Sequence, residues 1–199
     1  METTKECGDL DPQKGPKVQF ARFVSGELVL FSAYTTELEY IAVSHVFGKT
    51  EWFTIPGIKN EVLASTQKAA FIEKELPALI GDRPFCMDIL TVNQRNQAEV
   101  ISVVGAIPWI FRSAVQTLAI REDDGIYSCC EKVLEGFQSW KSLWSALANH
   151  YINHIDDMCD ESYLQRLWTF QECLLSHSIR FVVCHRGKCL LAVPIKVVC

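Results

Sequence analysis

The sequence predicts an α/β protein in which helices cover both faces of a parallel sheet. Two observations carry this prediction. Predicted strands alternate with predicted helices, and the strands are continuous apolar runs rather than alternating apolar and polar residues. Continuous apolar strands are typical of a sheet buried on both faces, and the alternation is typical of parallel strands joined by crossover helices.

The composition agrees with one globular domain. The chain has 199 residues, enough for one domain with a filled core or one domain with an insertion. Apolar residues make up 49% of the chain and charged residues 22%, the balance of a soluble protein. The net charge of −5 gives no electrostatic reason to expect a nucleic acid or an anionic membrane as partner. The polar N-terminal residues lack a signal-peptide pattern, and no apolar run is long enough for a bilayer.

The nine cysteines are a high and odd number, scattered along the chain. Several lie inside apolar segments, where a free thiol packs as a small hydrophobic side chain. Since no secretion signal precedes them, we expect reduced cysteines, no disulfide framework and a cytoplasmic protein.

The first predicted elements are strands. Residues 18–34 contain two short strands around a turn at Ser25-Gly26. A buried strand from Tyr40 to Val43 follows and ends in a polar, glycine-bearing loop. We therefore expect an N-terminal extension with a β-hairpin at 1–37, and a main domain at 38–199.

A helix and a second buried strand come next. Residues 60–80 have apolar side chains at helical spacing, with Pro77 marking an end or a kink. The apolar run 84–90 is interpreted as a strand that contains one carboxylate, Asp88.

The following helix is predicted to begin near Asn96, with Glu99 as its capping-box partner. Gly105 and Pro108 are expected to weaken or kink it. A third buried strand is predicted at 115–120.

Residues 121–160 are interpreted as an inserted, amphipathic helical segment. Ser162 and Gln165 form a second capping-box pattern before another helix. Further strands are predicted at 179–184 and 189–195.

Sites in parallel sheets lie at the carboxyl ends of the strands. The polar strand ends here are Ser44-His45, the loop after Asp88, and the loop after Ile120. The sequence therefore predicts a site at this edge.

Two nucleotide-binding motifs are excluded. The segment FGKT, residues 47–50, is no phosphate loop, because Val43 stands where that motif needs its first glycine. No G-x-G-x-x-G occurs, so a standard dinucleotide fold is not supported.

A metal site is not expected. The pair His150 and His154 and the cluster of Cys184, His185 and Cys189 lack the tight paired spacing of zinc sites. A Cys–His nucleophile is open in principle, but no local pattern singles out one cysteine.

Asp88 has two interpretations that can hold together. A carboxylate inside a buried strand is costly unless it is paired or lies at the open end of the strand. It is either a site residue or a capping carboxylate for the next loop. Asn93 and Gln94 are likewise site residues or ordinary loop residues that satisfy backbone groups.

Glu172 lies in the segment RLWTFQEC, four residues after Trp168. On a helix this spacing places the indole and the carboxylate on one face, one turn apart. By spacing alone, a rim glutamate in a surface salt bridge is favoured about two to one over a glutamate that does chemistry in a cleft.

Three segments resemble, in order, the three motif blocks of the fungal heterokaryon incompatibility (HET) domain. They are YIAVSHVFG (40–48), MDILTVNQRNQAE (87–99) and RLWTFQECLL (166–175). The resemblance covers about residues 38–185, and it implies that the main domain, residues 38–199, is a HET (TIR-like) domain. The polar residues of the family's blocks are kept as Ser44, Asp88, Asn93, Gln94 and Glu172. The chain departs from the family pattern at His45, Phe47, Thr91, Val100 and Pro108.

HET domains are in turn similar to Toll/interleukin-1 receptor (TIR) domains, which have a flavodoxin-like parallel sheet. In TIR enzymes that cleave NAD, a Trp precedes the catalytic Glu by four residues. The resemblance thus implies a three-layer, flavodoxin-like or TIR-like fold that hydrolyses the nicotinamide–ribose bond of NAD, with Glu172 as catalytic residue. The implied substrate-binding residues are Ser44, His45, Asp88, Asn93, Gln94 and Trp168.

The implied setting is fungal programmed cell death in self/non-self recognition, in the cytoplasm, with NAD as substrate and no cofactor. TIR-like contacts imply a homo-oligomer, and an upstream receptor or regulatory domain is a further implied partner. The insertion at 121–160 is in a position to cover or gate the cleft. One alternative is a non-catalytic module of the same fold that signals by homotypic assembly. Another is an enzyme that acts on a different nucleotide.

Overall fold

The centre of the structure is a mixed sheet whose four inner strands run parallel. The computed structural model describes residues 10–11, 14–122, 172, 175–185, 188–191 and 195–196. The strands of this part are β1 (Leu10–Asp11), β2 (Gly15–Val24), β3 (Glu27–Tyr34), β4 (Ile41–Ser44), β5 (Glu51–Phe53), β6 (Val62–Ala64), β7 (Phe85–Cys86), β8 (Gln116–Glu122), β9 (Ser178–His185), β10 (Lys188–Leu191) and β11 (Ile195–Lys196). The helices are α1 (Thr66–Lys74), α2 (Leu76–Ile80), α3 (Asp88–Thr91) and α4 (Gln97–Ser113).

The described strands form a nine-stranded sheet of order β1-β2-β7-β4-β8-β9-β10, with β3 on β2 and β11 on β9. Strand β4 pairs in parallel with β7 and β8, and β8 with β9. The predicted α/β class is therefore confirmed, with parallel strands at the centre. The carboxyl ends of these strands share one edge of the sheet.

The outer strands are antiparallel, which corrects the prediction of a parallel sheet throughout. Strand β2 pairs antiparallel with β3 and β7, and β9 with β10 and β11. The reason is connection length, because only two residues separate β2 from β3 and β9 from β10. A parallel pair needs a crossover of a dozen residues or more.

The predicted N-terminal hairpin is confirmed, and it belongs to the main sheet. Its turn residues Ser25 and Gly26 both have positive φ, 52° and 83°, as a two-residue hairpin turn requires. Phe20 and Ala21 of β2 are fully buried, and Ala21 pairs with Phe85 of β7. The hairpin therefore contributes to the core rather than lying beside it.

Apolar side chains fill both faces of the sheet. On one face, Ile41 and Val43 pack in a cluster with side chains of α1, α2 and α3, including Phe71 and Leu76. On the other face, Tyr40 and Ala42 pack with side chains of α4. Alternate residues of one strand thus reach opposite helix layers, as the continuous apolar run predicted.

The segment 60–80 does not form the single helix that its helical spacing predicts. Residues 62–64 form β6, which pairs with β5, and helix α1 begins only at Thr66. Ser65 caps α1, since its side chain accepts a hydrogen bond from the Lys68 amide. Helix α1 ends at Lys74, and Pro77 lies in the first turn of α2, where its missing N–H costs nothing.

The predicted strand 84–90 is also corrected, because only Phe85–Cys86 is strand and Asp88 begins α3. The start of α4 is as predicted, with the Asn96 side chain accepting from the Glu99 amide. The helix continues through Gly105 and Pro108 to Ser113.

Strand β8 confirms the third predicted strand, and β9 the strand at 179–184, while 189–195 divides into β10 and β11. The inserted segment beyond Glu122, the Ser162–Gln165 capping pattern and Trp168 lie outside the described residues. Within the described residues, no helix has the length and apolar character needed to cross a membrane.

Candidate functional site

A cavity of about 240 Å³ opens at the carboxyl edge of the central strands, between the sheet and α4. Its polar lining comes from His45, Asp88, Gln94 and Glu172. Its apolar lining comes mainly from α4, with Val100, Val103, Val104, Ile107, Ile110 and Phe111. Three segments distant in the sequence therefore contribute polar groups to one cavity.

Glu172 is held at this cavity by Ser44. The Ser44 hydroxyl donates to Glu172 Oε2 across 2.5 Å, joining residues 128 positions apart. A short hydroxyl–carboxylate hydrogen bond is charge-assisted and stronger than a bond between neutral groups. Ser44 is the last residue of β4 and 1% exposed, whereas Glu172 is partly buried and lines the cavity. Ser44 thus fixes the carboxylate from behind.

The backbone of Glu172 is fixed as well. The Ser176 hydroxyl donates to the Glu172 carbonyl across 2.6 Å. Since that uses the only hydroxyl hydrogen of Ser176, the 2.6 Å bond between Ser176 and Thr117 has Thr117 as donor. Thr117 is a buried residue of β8, so two strands of the sheet anchor the residues around Glu172.

His45 and Asp88 form a second polar pair. His45 Nε2 lies 2.5 Å from Asp88 Oδ1, which also accepts from the Ile89 amide at 2.7 Å. Asp88 at the start of α3 therefore bonds a backbone amide, as the capping interpretation predicts, and it also lines the cavity. His45 Nδ1 is buried with no hydrogen-bond partner among the described residues.

The pKa of Asp88 lies below its ordinary value. Burial alone would raise it, but the charge and hydrogen bond of His45, the Ile89 amide and the charge of Lys68 together outweigh burial. The Asp88 side chain keeps 42% of its surface exposed, so water screens part of these interactions. Asp88 is therefore ionised at neutral pH.

Gln94 and Asn93 have different roles. Gln94 Nε2 donates to the Asp88 carbonyl across 3.0 Å, and Gln94 lines the cavity. Asn93 is exposed, and its Oδ1 accepts from the Arg95 amide at 3.1 Å. Asn93 is therefore a turn residue that satisfies its own loop, and it does not line this cavity.

Cys86 lines the cavity as a protonated thiol. Burial raises its pKa to about 12, the Thr91 hydroxyl opposes the rise and Asp88 adds to it. The thiolate, which is the reactive form, is scarce at neutral pH.

Among the described residues, no group of three or more His, Cys, Asp or Glu side chains is placed to hold a metal ion.

Lys68 is a residue near the site that the sequence patterns did not predict. This residue of α1 is 1% exposed, and its ammonium donates to the Val46 carbonyl, in the loop that follows His45. Its charge also acts on Asp88. The available signal was spacing, because Lys68 precedes the buried Ile72 by four residues and so lies on the apolar face of α1.

The fold and the cavity define an α/β domain with a carboxylate and an acid–base pair at the carboxyl edge of its parallel strands. Comparisons with protein-family models, with curated proteins and with solved structures give no match to this chain. The function is therefore argued from the geometry of the described residues and from the three sequence motifs.

Proposed function

We propose that this protein is a nicotinamide-dinucleotide glycohydrolase, which breaks the nicotinamide–ribose bond of NAD with Glu172 as its catalytic carboxylate. The observation that carries the proposal is the hydrogen bond from Ser44 to Glu172, the carboxylate that lines the cavity. Spacing alone favoured a rim glutamate in a surface salt bridge. A carboxylate fixed by a buried hydroxyl beside His45 and Asp88 suits a reaction centre better.

The chemistry requires little beyond a fixed negative charge. When the bond between nicotinamide and ribose breaks, the ribose acquires the positive charge of an oxocarbenium-like state. A preorganised carboxylate beside the ribose stabilises that charge without reorganisation. Nicotinamide leaves as a neutral molecule, so no acid has to protonate it. Water then adds to the ribose and releases a proton.

The shape and lining of the cavity suit the nicotinamide end. Its apolar wall of α4 side chains provides a surface for the flat nicotinamide ring, and His45, Asp88, Gln94 and Glu172 supply polar groups to the same cavity. Ligand pockets that enclose drug-sized molecules have about 300–1,000 Å³. A cavity of about 240 Å³ therefore takes one end of a dinucleotide rather than the whole.

In this proposal the chain is a HET-like domain with a flavodoxin-like, TIR-like arrangement, acting in fungal programmed cell death. Its support is the three motif segments in their family order and the α/β fold with parallel central strands. The cytoplasmic location, the homo-oligomer and the upstream regulatory domain remain part of the same proposal.

The second candidate is a non-catalytic module that signals by homotypic assembly. The observation that favours it is a set of exposed apolar side chains on α4, with Ile101 64%, Val104 40% and Trp109 37% exposed. Exposed apolar groups on one helix are typical of contact surfaces.

The test is nicotinamide release from NAD by the purified chain, at concentrations that permit self-association. Wild type is expected to release nicotinamide, and Glu172→Gln to reduce kcat about 10²–10³-fold, because glutamine keeps the shape of the side chain and loses its charge. The control is Glu73→Gln, an exposed glutamate on α1, which should leave kcat unchanged.

Two outcomes overturn the proposal in different ways. If wild type releases no nicotinamide at any concentration, NAD hydrolysis is wrong, and assembly that Trp109→Asp abolishes would support the second candidate. If Glu172→Gln releases nicotinamide as fast as wild type, the activity stands and the residue assignment is wrong.

A further inference from the structure

A second cavity adjoins the first one. It has a volume of about 630 Å³ and lies between residues 58–62 and the loop that joins α3 to α4. Val92 and Gln94 line both cavities, so the two lie on either side of the same short segment. A ligand that occupies both cavities would pass beside Gln94.

The lining of the second cavity differs from that of the first. It includes two cationic side chains, Arg95 and Lys59, two carboxylates, Glu61 and Glu99, and one partly exposed aromatic ring, Trp52. Glu99 already accepts a hydrogen bond from the Asn93 amide. The Arg95 guanidinium lies 4.3 Å from the centre of the Trp52 ring, and Arg95 also pairs with Glu61 at 2.7 Å. Leu30 and Ile58 add an apolar wall.

The Arg95–Glu61 pair is exchangeable. The two side chains are 61% and 53% exposed, and a solvent-exposed ion pair contributes only about 0–1 kcal/mol. A phosphate group accepts two parallel N–H bonds from a guanidinium, as a carboxylate does, and has greater charge. The cation–π contact with Trp52 restrains the Arg95 guanidinium while the anion is exchanged.

We infer that the second cavity binds the adenosine diphosphate half of the dinucleotide. Arg95 takes a phosphate in place of Glu61, Lys59 adds a second positive charge, and the base lies against Leu30 and Ile58. This inference rests on the proposed function, since the first cavity then holds the nicotinamide end. Gln94, which bonds the Asp88 carbonyl, lies where the two halves of the ligand meet.

The direct test is titration calorimetry with adenosine diphosphate, which has the distal half of the ligand and no nicotinamide. Wild type is expected to bind it, and Arg95→Ala to weaken binding about tenfold or more, because a hydrogen bond to a charged group is lost. Arg95→Lys should give an intermediate affinity. The control is Arg22→Ala, since Arg22 is another exposed arginine over a ring, that of Phe31, outside both cavities.

The inference is wrong if adenosine diphosphate does not bind wild type, or if Arg95→Ala binds it as tightly. Neither result depends on catalysis, so both are separate from the test of Glu172.

Kinetics supply a second test through two substrates. Arg95→Ala is expected to lower kcat/KM for NAD about tenfold and to leave kcat/KM for nicotinamide riboside unchanged, because the riboside has no distal half. An equal loss for both substrates would contradict the inference while leaving the glycohydrolase intact. If neither substrate is cleaved by wild type, the proposed function fails, and the calorimetric titration alone decides the second cavity.

Discussion

A hydrogen bond of 2.5 Å joins Ser44, the last residue of β4, to Glu172, which lies 128 residues further along the chain. The Ser44 side chain is buried and does not line the cavity, whereas Glu172 does. Ser44 therefore acts through Glu172, as a positioning residue.

We expect Ser44→Ala to lower kcat for nicotinamide release about tenfold and to leave KM unchanged. The reason is that a hydrogen bond to a charged group contributes roughly 1.5–3 kcal/mol, part of which holds the carboxylate in its reactive position. Steady-state kinetics on NAD measure both constants. Ser32→Ala on the exposed side of β3 is the control. A raised KM with unchanged kcat would mean that Ser44 contacts substrate instead.

The Asp88 carboxylate makes stability depend on pH at the acid end. Its pKa is depressed in the folded state, so its contribution is present above the unfolded value of about 3.9 and is lost as pH falls through the folded pKa. Asp88→Asn should lower the free energy of unfolding by about 1 kcal/mol at pH 7, a modest value because the side chain is 42% exposed.

The measurement for Asp88 is chemical denaturation of wild type and Asp88→Asn from pH 7 to pH 3. The difference in unfolding free energy should stay constant from pH 7 to about pH 5 and shrink below about pH 4. A difference that disappears between pH 7 and pH 5 would contradict a depressed pKa.

Cys86 should resist alkylation in the folded protein. Its pKa of about 12 leaves roughly one thiol in ten thousand ionised at pH 8, and the side chain is buried. Iodoacetamide followed by peptide mass spectrometry measures the modification. We expect Cys86 to remain unmodified under native conditions and to react after denaturation in urea. Rapid native modification would show that the thiol is accessible and activated.

Lys68→Met should destabilise the fold by about 1–3 kcal/mol. Methionine fills a similar volume, but it leaves the partly buried Val46 carbonyl without the hydrogen bond of the ammonium and removes a charge that acts on Asp88. Urea denaturation measures the loss. The control is Lys74→Met at the exposed end of the same helix, for which we expect a change below about 1 kcal/mol. Equal effects of the two substitutions would show that Lys68 has no special partner role.

Local residue patterns predicted the elements whose causes are local. The Ser25-Gly26 turn, the strand before Ser44 and the start of α4 at Asn96 are all where the sequence places them, because turn conformation, apolar runs and side-chain caps act over a few residues. The segment 60–80 was misassigned since strand β6 depends on pairing with β5, and helical spacing does not register a partner strand.

The site divides in the same way. Residue patterns alone singled out Asp88, the Ser44-His45 strand end, Gln94 and Glu172, and they left a structural alternative open for Asp88, Gln94 and Glu172. The resemblance to a family then favoured a catalytic role for Glu172. The role of Lys68 was not predicted, because a charged residue on an apolar helix face does not by itself indicate which acceptor it bonds.

The sequence by itself determined the α/β class, the local caps and turns, and the residue types available for chemistry. Only the tertiary structure decided which of them meet. Spacing alone favours a rim position for Glu172. The structure instead places Glu172 at a cavity with His45 and Asp88. It is held there by the parallel pairing of β4 with β8 and by the bonds from Ser44, Ser176 and Thr117. The Ser44–Glu172 bond joins residues 128 positions apart and the Thr117–Ser176 bond joins residues 59 apart, and no local pattern of residues specifies a distance between such segments.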